Sequence, residues 1–265
     1  MITSSCDKIL ITGINGFIAS ALFNKLDSPV GIDGNYNEEL INKTLTYFNP
    51  DVVFHVGACT NTLNTDIEYM MYNNFLATKW ITDWCTLNKK KLIYSSSAAC
   101  YGNNNQYPTN VYGWSKYLGE LYVLQHNAIA LRYFNVYGPG ESHKGNMASF
   151  IYQNYKKESI GIFKGNPSRD FIHVSDVVSA NLFALEHYEK IQGKYYDVGT
   201  GNSYMYEYLC NIMGKSYYYV EDDHIPKGYQ FHTIADKKKI MPGWMTKILI
   251  DYGVTNYINL LNEEN

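Results

Sequence analysis

The chain has 265 residues, of which 46% are hydrophobic and 18% are charged, and its formal net charge is −3. This length suits one medium-sized α/β unit with a smaller lobe, and the apolar content is enough for a buried core. The basic clusters Lys89–Lys91 and Lys237–Lys239 are too short to predict a nucleic-acid partner. No apolar run reaches the roughly 18 residues of a membrane span, and Met1–Asp7 lack signal-peptide features, so we expect no membrane partner.

Cysteine and histidine spacing bears on the compartment and on metals. The five cysteines include no Cys-x-x-Cys pair, which favours reduced thiols in a cytoplasmic protein. The seven histidines include no His-x-x-x-His pair, so we predict no metal site. The cysteines are Cys6, Cys59, Cys85, Cys100 and Cys210.

A glycine turn follows the first apolar run of the chain. Lys8–Thr12 predicts a buried strand, and a helical pattern continues from the turn to about Leu26. In such a strand–turn–helix unit, amides at the helix N-terminus point at the pyrophosphate of a dinucleotide. Gly13 permits the turn, Gly16 permits close backbone approach, and Ala19 stands where a third glycine often lies. The predicted dinucleotide site includes Gly13, Gly16, Phe17 and Ile18.

Val30–Asp33 predicts a second strand that ends in an acidic residue. A carboxylate about 20 positions after the first glycine bonds the adenosine ribose of a dinucleotide. No Arg or Lys follows at once to hold a 2′-phosphate, which favours NAD over NADP. One usual strand is missing from the pattern before the helix that ends at about Phe48, so Asp33 ends either the second or the third strand. A simple turn aspartate is the alternative.

Pro50–Gly57 predicts the next parallel strand, which ends in a run of small residues, Gly57–Thr60. A dinucleotide can lie closely against such a strand end. The stretch from Asp66 to about Asn88 predicts a long helix. On it, Asn73 and Asn74 either reach back toward the cofactor or are simply solvated.

Lys91–Ser97 predicts the following strand, and three serines lie at its C-terminal end. Open parallel sheets bind their ligands at this end of the strands. Ser97 is therefore a candidate to hydrogen-bond the reacting oxygen of a substrate. A serine-rich strand end is also a common turn, which is the alternative.

Tyr112 and Lys116 lie four residues apart in the helical run Asn110–Glu120, so they share one helix face. A free phenol, with a pKa of about 10, is a poor base at neutral pH, but a nearby ammonium group favours the phenolate. Tyr112 could then exchange a proton with a sugar hydroxyl. Because 26 tyrosines make a chance match expected, this interpretation depends on the glycine turn and on Ser97.

Ala128–Tyr133 predicts a further strand, and the breaker at Phe134–Pro139 opens a second lobe. The alternation of strands and helices predicts an α/β fold with a Rossmann-type doubly wound parallel sheet, a shortened nucleotide half and a smaller mixed α/β substrate lobe. The elements predicted after the breaker are a helix to Tyr155, strands at 159–163 and 169–174, a helix over 175–188 and a strand at 194–198. The predicted domains are an NAD(P)-binding domain of 1–134 with about 171–200 and 233–247, and a substrate lobe of 135–170 with about 201–232 and 248–265.

With the glycine turn, Ser97, Tyr112 and Lys116 in this order, the chain resembles the extended short-chain dehydrogenases/reductases. Within that group it is most similar to the 6-epimerases of ADP-linked heptoses, and the specific stretch is His143–Ser149. Other matching stretches are His55–Thr62, Tyr69–Asn74, Ser95–Gly102, Asn110–Lys116, Arg132–Pro139, Arg169–Phe171, Gly199–Gly201 and Lys227–Gln230.

The resemblance implies roles for individual residues. Tyr112 and Lys144 would be paired acid/base groups, one for each face of the reacting carbon. Ser97 would bind the reacting oxygen, and Lys116 would tune the tyrosine and bind the nicotinamide ribose. Implied cofactor contacts are Val56, Gly57, Ala58, Cys59, Thr60 and Asn73. Implied substrate contacts are Asn135, Val136, Asn146, Gln153, Phe163, Lys164, Gly165, Asn166, Arg169 and Tyr229.

Other interpretations exist for some of these residues. Without the resemblance, Lys144 is equally well a solvated loop lysine. A local surface pair worth under ~1 kcal/mol is the alternative for Arg169-Asp170. An arginine is nonetheless the side chain that grips a diphosphate with two hydrogen bonds. The chain also departs from the family, since Gln153 replaces a histidine and the turn before Arg169 is shortened.

The implied activity is that of an NAD(P)-dependent nucleotide-sugar epimerase, which oxidises C6 of a heptose to a transient ketone and reduces it again. We expect a nucleotide-sugar substrate and a homo-oligomer. The first alternative is a UDP-hexose 4-epimerase, which does not need Lys144. A dehydratase is disfavoured because Ala98–Cys100, and no acidic pair, follow Ser97. The alternative from another class is a non-catalytic dinucleotide-sensing scaffold, although such proteins usually lose the tyrosine or the lysine.

Overall fold

The computed structural model describes residues 7–34, 37–103, 106–165, 167–221, 225 and 229–263. The strands are β1 (Ile9–Thr12), β2 (Val30–Ile32), β3 (Val52–His55), β4 (Lys91–Ser97), β5 (Ile129–Tyr133), β6 (Asn135–Tyr137), β7 (Ser159–Phe163), β8 (Ser168–Arg169), β9 (Phe171–His173), β10 (Tyr195–Val198), β11 (Tyr204–Met205) and β12 (Ser216–Val220). The α-helices are α1 (Phe17–Phe23), α2 (Glu38–Phe48), α3 (Ile67–Met70), α4 (Ala77–Leu87), α5 (Val111–Gln125), α6 (Phe150–Asn154), α7 (Val174–Glu186), α8 (Tyr188–Ile191), α9 (Tyr206–Ile212) and α10 (Ile250–Glu263). A π-helical segment (Met71–Leu76) joins α3 to α4, and 3₁₀ turns span Ala98–Tyr101 and Ser142–Met147.

A six-stranded sheet in the order β2-β1-β3-β4-β5-β10 forms the centre of the fold, and all of its pairings are parallel. The strand order reverses at β1, so the crevice between the ends of β1 and β3 is the point where doubly wound sheets bind ligands. The predicted Rossmann-type fold class is confirmed. Within the described residues β2 is an edge strand paired with β1, so Asp33 ends the second strand of the sheet.

Alternate residues of the strands pack on opposite faces of the sheet, because side chains alternate along a β-strand. In β1, Ile9 and Ile11 join a core with α1 and α7, whereas Leu10 joins a core with α2 and α4. Both faces are therefore covered by helices, which explains why the strands read as nearly continuous apolar runs.

The second lobe has its own apolar core. It is built around a two-stranded parallel sheet of β7 and β12, with α9 and α10 packed beside it. The predicted strand at 169–174 is two short strands, because β8 pairs with β11 and β9 pairs with β6. The division into two domains along the predicted boundaries stays a prediction.

Asp170 connects the second lobe to the chain that leaves the central sheet. It is fully buried, and its carboxylate accepts hydrogen bonds from the amides of Thr200, Gly201 and Ala235 at 2.8, 2.8 and 3.1 Å. The hydroxyl of Thr200 donates a fourth bond at 2.7 Å. Burial raises the pKa of Asp170, and these donors oppose that effect. The surface-pair alternative for Arg169-Asp170 is wrong, since both residues are buried.

Three further properties concern only the part of the chain that the structure describes. No helix there has the length and apolarity to cross a membrane. No three His, Cys, Asp or Glu side chains converge as metal ligands. Its four cysteines are free, and Cys6 lies outside the described residues.

Candidate active site

A cavity of about 650 Å³ lies at the carboxyl ends of the central strands, and it is also lined by the second lobe. All four candidate catalytic residues line it: Ser97, Tyr112, Lys116 and Lys144. The other predicted residues that line it are Ile18, Val56, Ala58, Thr60, Asn135, Val136, Asn146, Gln153, Phe163, Arg169 and Tyr229. Segments far apart in the sequence therefore meet at one site.

Other predicted contacts lie outside this lining. They are Gly13, Gly16, Phe17, Asp33, Gly57, Cys59, Asn73, Lys164 and Gly165. The predicted contact Asn166 falls outside the described residues. Lys164 instead forms an exposed ion pair with Glu221 at 3.1 Å. The roles of these residues as ligand contacts stay predictions.

The glycine turn brings the ends of β1 and β3 into contact. Gly13 has a φ of +71°, and a Cβ built on it would lie 2.4 Å from the Cα of Gly57. Its amide donates to Ile32 at 2.8 Å, and the amide of Gly16 donates to Gly13 at 2.8 Å. Gly16 caps α1 without any side-chain hydrogen bond. A cradle that a single Cβ would fill, beside an uncapped helix start, fits the diphosphate of a dinucleotide.

We expect Gly13→Ala to weaken dinucleotide binding at least tenfold and to lower the melting temperature. The added Cβ overlaps Gly57, and an L-residue at this φ costs about 1 kcal/mol. Equilibrium dialysis and thermal unfolding would measure the two effects. Gly214→Ala is the matched control, because Gly214 has a φ of +65° and open space around its Cβ position. Equal effects of both changes on dinucleotide affinity would contradict a cradle at Gly13.

Asp33 lies against the glycine turn. One carboxylate oxygen accepts from the amide of Asn15 at 3.1 Å, and the other accepts from the amide of Gly34 at 2.8 Å. The side chain thus forms the local bonds of a turn aspartate at the place expected for a ribose ligand. The two interpretations are compatible, because a carboxylate has about four acceptor positions and these bonds use two of them.

The segment after β3 is fixed by Asn74, which lies in the π-helical segment. Its Oδ1 accepts from the amide of Cys59 at 2.7 Å, and its Nδ2 donates to Cys59 O at 3.1 Å and to Ser115 Oγ at 2.9 Å. The side-chain Nδ2 of Asn73, by contrast, donates to the backbone oxygen of Tyr69, four residues earlier, at 2.8 Å. Asn74 therefore links the proposed cofactor segment to α5, the helix of Tyr112.

A buried polar chain connects β1, β3 and α4, and the sequence did not reveal it. Thr12 Oγ1 lies 2.8 Å from His55 Nδ1, and His55 Nε2 lies 2.9 Å from Thr78 Oγ1. The hydroxyl of Thr12 also accepts from the amide of Gly57 at 2.9 Å. Burial, and secondarily the charge of Lys116, lower the pKa of His55 to about 3, so its imidazole is neutral. This chain holds the strand ends at the crevice in place.

Ser97 and Tyr112 meet across the cavity. A hydrogen bond with Ser97 lowers the pKa of the Tyr112 phenol, but burial has the larger effect and raises it to about 12. Burial also lowers the pKa of Lys116 to about 8, and its Nζ lies 4.3 Å from the centroid of the Tyr94 ring. Burial and Ser97, rather than Lys116, therefore have the largest effects on the pKa of Tyr112.

Lys144 approaches the same cavity from the second lobe. It lies on the 3₁₀ turn Ser142–Met147, and its Nζ is 5.4 Å from the centroid of the Phe17 ring at the start of α1. The side chain is partly buried, and burial lowers its pKa while Glu141 opposes the shift. This environment argues against a freely solvated loop lysine.

The far end of the cavity presents an arginine held between aromatic rings. The guanidinium carbon of Arg169 lies 4.8 Å from the ring centroid of Tyr229 and 5.9 Å from that of Tyr206. Phe163 packs edge-on against Tyr229, with ring centroids 5.1 Å apart. The sequence did not predict Tyr206, because nothing distinguishes it from the other tyrosines of the chain.

The charged side chains that line the cavity all have the same sign. Its charged side chains in the described part of the chain are cationic, namely Lys116, Lys144, Lys157 and Arg169, and none is a carboxylate. Such a cavity attracts diphosphates, which carry negative charge and accept bidentate hydrogen bonds from arginine.

Residues 9–199 match the model of the NAD dependent epimerase/dehydratase family. The chain belongs to this family. The match covers the glycine turn, the central sheet, Ser97, Tyr112, Lys116 and Lys144. The predicted resemblance to extended dehydrogenases/reductases is thereby confirmed, and membership of the epimerase/dehydratase family makes the chain an enzyme that uses a nicotinamide dinucleotide.

Two relatives carry the same name. The chain is 32% identical over 314 aligned positions to an ADP-L-glycero-D-manno-heptose-6-epimerase of Brachyspira hyodysenteriae, covering 96% of this chain and 98% of the relative. The alignment is longer than this chain, so the family member has segments that this chain lacks. The crystal structure of the Helicobacter pylori enzyme of that name superposes with a TM-score of 0.82 at 27% identity, covering 97% and 96% of the two chains.

A third similar protein has another specificity. The UDP-glucose 4-epimerase of Thermotoga maritima, solved with UDP-glucose, superposes with a TM-score of 0.82 at 23% identity. The match covers 97% of this chain and 99% of that one. At this identity the likeness shows that the two chains share a fold.

Proposed function

We propose that the chain is a nucleotide-sugar epimerase that works with a tightly bound nicotinamide dinucleotide. The observation that carries this function is the convergence of Ser97, Tyr112, Lys116 and Lys144 on one cavity. That cavity lies at the switch point of a doubly wound sheet, where such sheets bind their ligands. Intact Tyr112 and Lys116 argue against a non-catalytic scaffold.

The proposed substrate is an ADP-linked manno-heptose, epimerised at C6. Two features support this choice: the cationic lining, which suits a diphosphate, and the shared name of the Brachyspira and Helicobacter relatives. Arg169 is the proposed diphosphate ligand, because its planar fork matches two phosphate oxygens. Tyr229, Phe163, Asn135 and the other predicted substrate contacts are proposed to hold the nucleotide and sugar.

The protein's own residues orient the substrate and move protons. Ser97 holds the reacting C6 oxygen, and Tyr112 takes the hydroxyl proton on one face. The ketone then presents its other face, where Lys144 gives a proton to the oxygen. When bound, the nicotinamide supplies a hydride acceptor and donor that is restored in each cycle.

NAD is the proposed cofactor, in preference to NADP. Asp33 ends the edge strand β2 beside the glycine turn, and a carboxylate there favours ribose hydroxyls over a 2′-phosphate. A location in the cytoplasm is proposed on the free thiols of the described cysteines. The homo-oligomer expected from the sequence stays a prediction.

One experiment tests cofactor and substrate together. The purified protein is denatured, the released dinucleotide is identified, and ADP-D-glycero-D-manno-heptose is followed by NMR with the native protein. We expect NAD and conversion to the L-glycero epimer. Turnover of UDP-glucose without turnover of the heptose would move the assignment to a UDP-hexose 4-epimerase. Absence of both dinucleotide and turnover would support the scaffold.

A further inference from the structure

Glu141 is a fully buried carboxylate at the base of the loop that carries Lys144. One oxygen accepts from the amide of Gly138 at 3.3 Å and from the hydroxyl of Ser149 at 2.6 Å. The other accepts from the amide of Ser149 at 2.5 Å. The backbone carbonyl of Glu141 accepts from the amide of Lys144 at 3.0 Å. One residue therefore joins both ends of the loop and its middle.

A neutral side chain could also accept the hydrogen bonds that close this loop. An ionised carboxylate out of water is costly unless donors and a positive charge compensate it. The loop amides and Ser149 supply the donors, and Lys144 supplies the charge. Glu141 is the charged group that raises the pKa of Lys144 against the lowering by burial.

Other titratable groups face the same cavity from the elements around it. From α5 they are Tyr112 and Lys116, from β5 Tyr133, and from the second lobe Lys157, Arg169, Tyr206 and Tyr229. None of them is among the causes of the shift at Lys144, and α1 presents the uncharged ring of Phe17. Burial therefore has the largest effect on the pKa of Lys144, and Glu141 is the charged group that opposes it.

We propose that Glu141 is the positioning residue of Lys144: it fixes the loop that carries the ammonium and supplies a compensating negative charge. For catalysis, this rests on the proposed function. Lys144 then enters the cycle as the acid and Tyr112 as the base. A C6–O–H proton passes to Tyr112, a proton passes from Lys144 to the oxygen on the other face, and exchange with water restores both groups.

The test compares Glu141→Gln, which removes the charge at nearly constant shape, with Ser149→Ala, which removes no charge. The second change removes the hydroxyl's bonds to Glu141 and to the amide of Tyr152. Lysine labelled with ¹³C at Cε is titrated by NMR, and the Lys144 signal is assigned by its loss in Lys144→Met. We expect Glu141→Gln to lower the pKa of Lys144 by about one unit, a tenfold change in the neutral-to-charged ratio. Ser149→Ala should change it by a few tenths at most.

The pH profile of kcat provides a second measurement. With Tyr112 as the base, whose pKa of about 12 lies above that of Lys144, kcat rises with pH up to the pKa of Lys144 and then levels off, because the protonated acid is lost as fast as the ionised base is gained. This bend in the profile should move to lower pH by the same amount in Glu141→Gln. An unchanged Lys144 titration in folded Glu141→Gln, or an equal shift in Ser149→Ala, would overturn the proposal. If Glu141→Gln does not fold, Glu141→Asp and Glu141→Asn provide a pair that differs only in charge.

The two proposals fail in different ways. The NMR titration needs no substrate, so it reports on Glu141 and Lys144 even if no nucleotide sugar is converted. Absence of turnover, together with the expected decrease of the Lys144 pKa in Glu141→Gln, would reject the proposed function alone. Normal turnover, together with a Lys144 titration that is the same in Glu141→Gln and in the unchanged protein, would reject the positioning role alone.

Discussion

Tyr112→Phe is expected to lower kcat for the heptose by ~10²–10⁴-fold, with dinucleotide binding retained. The phenol hydroxyl is the group that exchanges the proton with the substrate, and general acid–base catalysis contributes about this much. Steady-state kinetics and the dinucleotide content of the purified variant provide the measurement. The ring itself stays, so the cavity lining should keep its shape.

Tyr117→Phe is the matched control for this change. It removes the same hydroxyl from the same helix, α5, at a residue that is not part of the cavity lining. We expect its kcat to stay within about twofold of the unchanged protein. A Tyr112→Phe variant as active as Tyr117→Phe would refute proton transfer by Tyr112.

Lys144→Met should lower kcat for epimerisation by a similar factor, ~10²–10⁴-fold, because one face of the reacting carbon loses its acid/base group. One of the two epimers should still reduce the bound dinucleotide, since Tyr112 still serves its face. Absorbance of the reduced nicotinamide with each epimer would separate this half-reaction from full turnover. A 4-epimerase would not need this lysine, so near-normal turnover would favour that alternative.

Lys157→Met provides the comparison for Lys144. Lys157 is another cationic residue of the lining, and its Nζ donates to Asn154 Oδ1 at 2.9 Å. Loss of this charge should raise KM for the diphosphate and leave kcat within a few-fold, which is the pattern of uniform binding. Equal kcat losses in both variants would indicate a general effect of charge instead of proton transfer by Lys144.

The parts of the site that the sequence predicted depend on residues close together in the chain. The glycine turn is a local strand–turn–helix pattern, and Tyr112 and Lys116 are one helical turn apart on α5. The ends of parallel strands meet at one edge of a sheet, so Ser97 could be placed near them. The resemblance supplied Lys144, whose position on a loop of the second lobe no local pattern gives.

What the sequence could not predict depends on burial and on distant partners. Asn74 bonds Ser115 across 41 positions, and His55 bonds Thr12 across 43. Neither amino-acid type is rare on a surface, so nothing in the local pattern distinguishes a buried network from solvated side chains. The pKa of Tyr112 is a further example. A lysine one turn away is expected to lower this pKa, but desolvation of the phenol has the larger effect and raises it.

The four hydrogen bonds of Asp170 bear on how the molecule unfolds. Its donors lie 30, 31 and 65 positions away in the chain, at Thr200, Gly201 and Ala235. Partial detachment of either segment would leave a buried carboxyl group with fewer hydrogen-bond donors, at a cost of a few kcal/mol. Such intermediates are therefore disfavoured, and the two lobes should melt in a single cooperative transition.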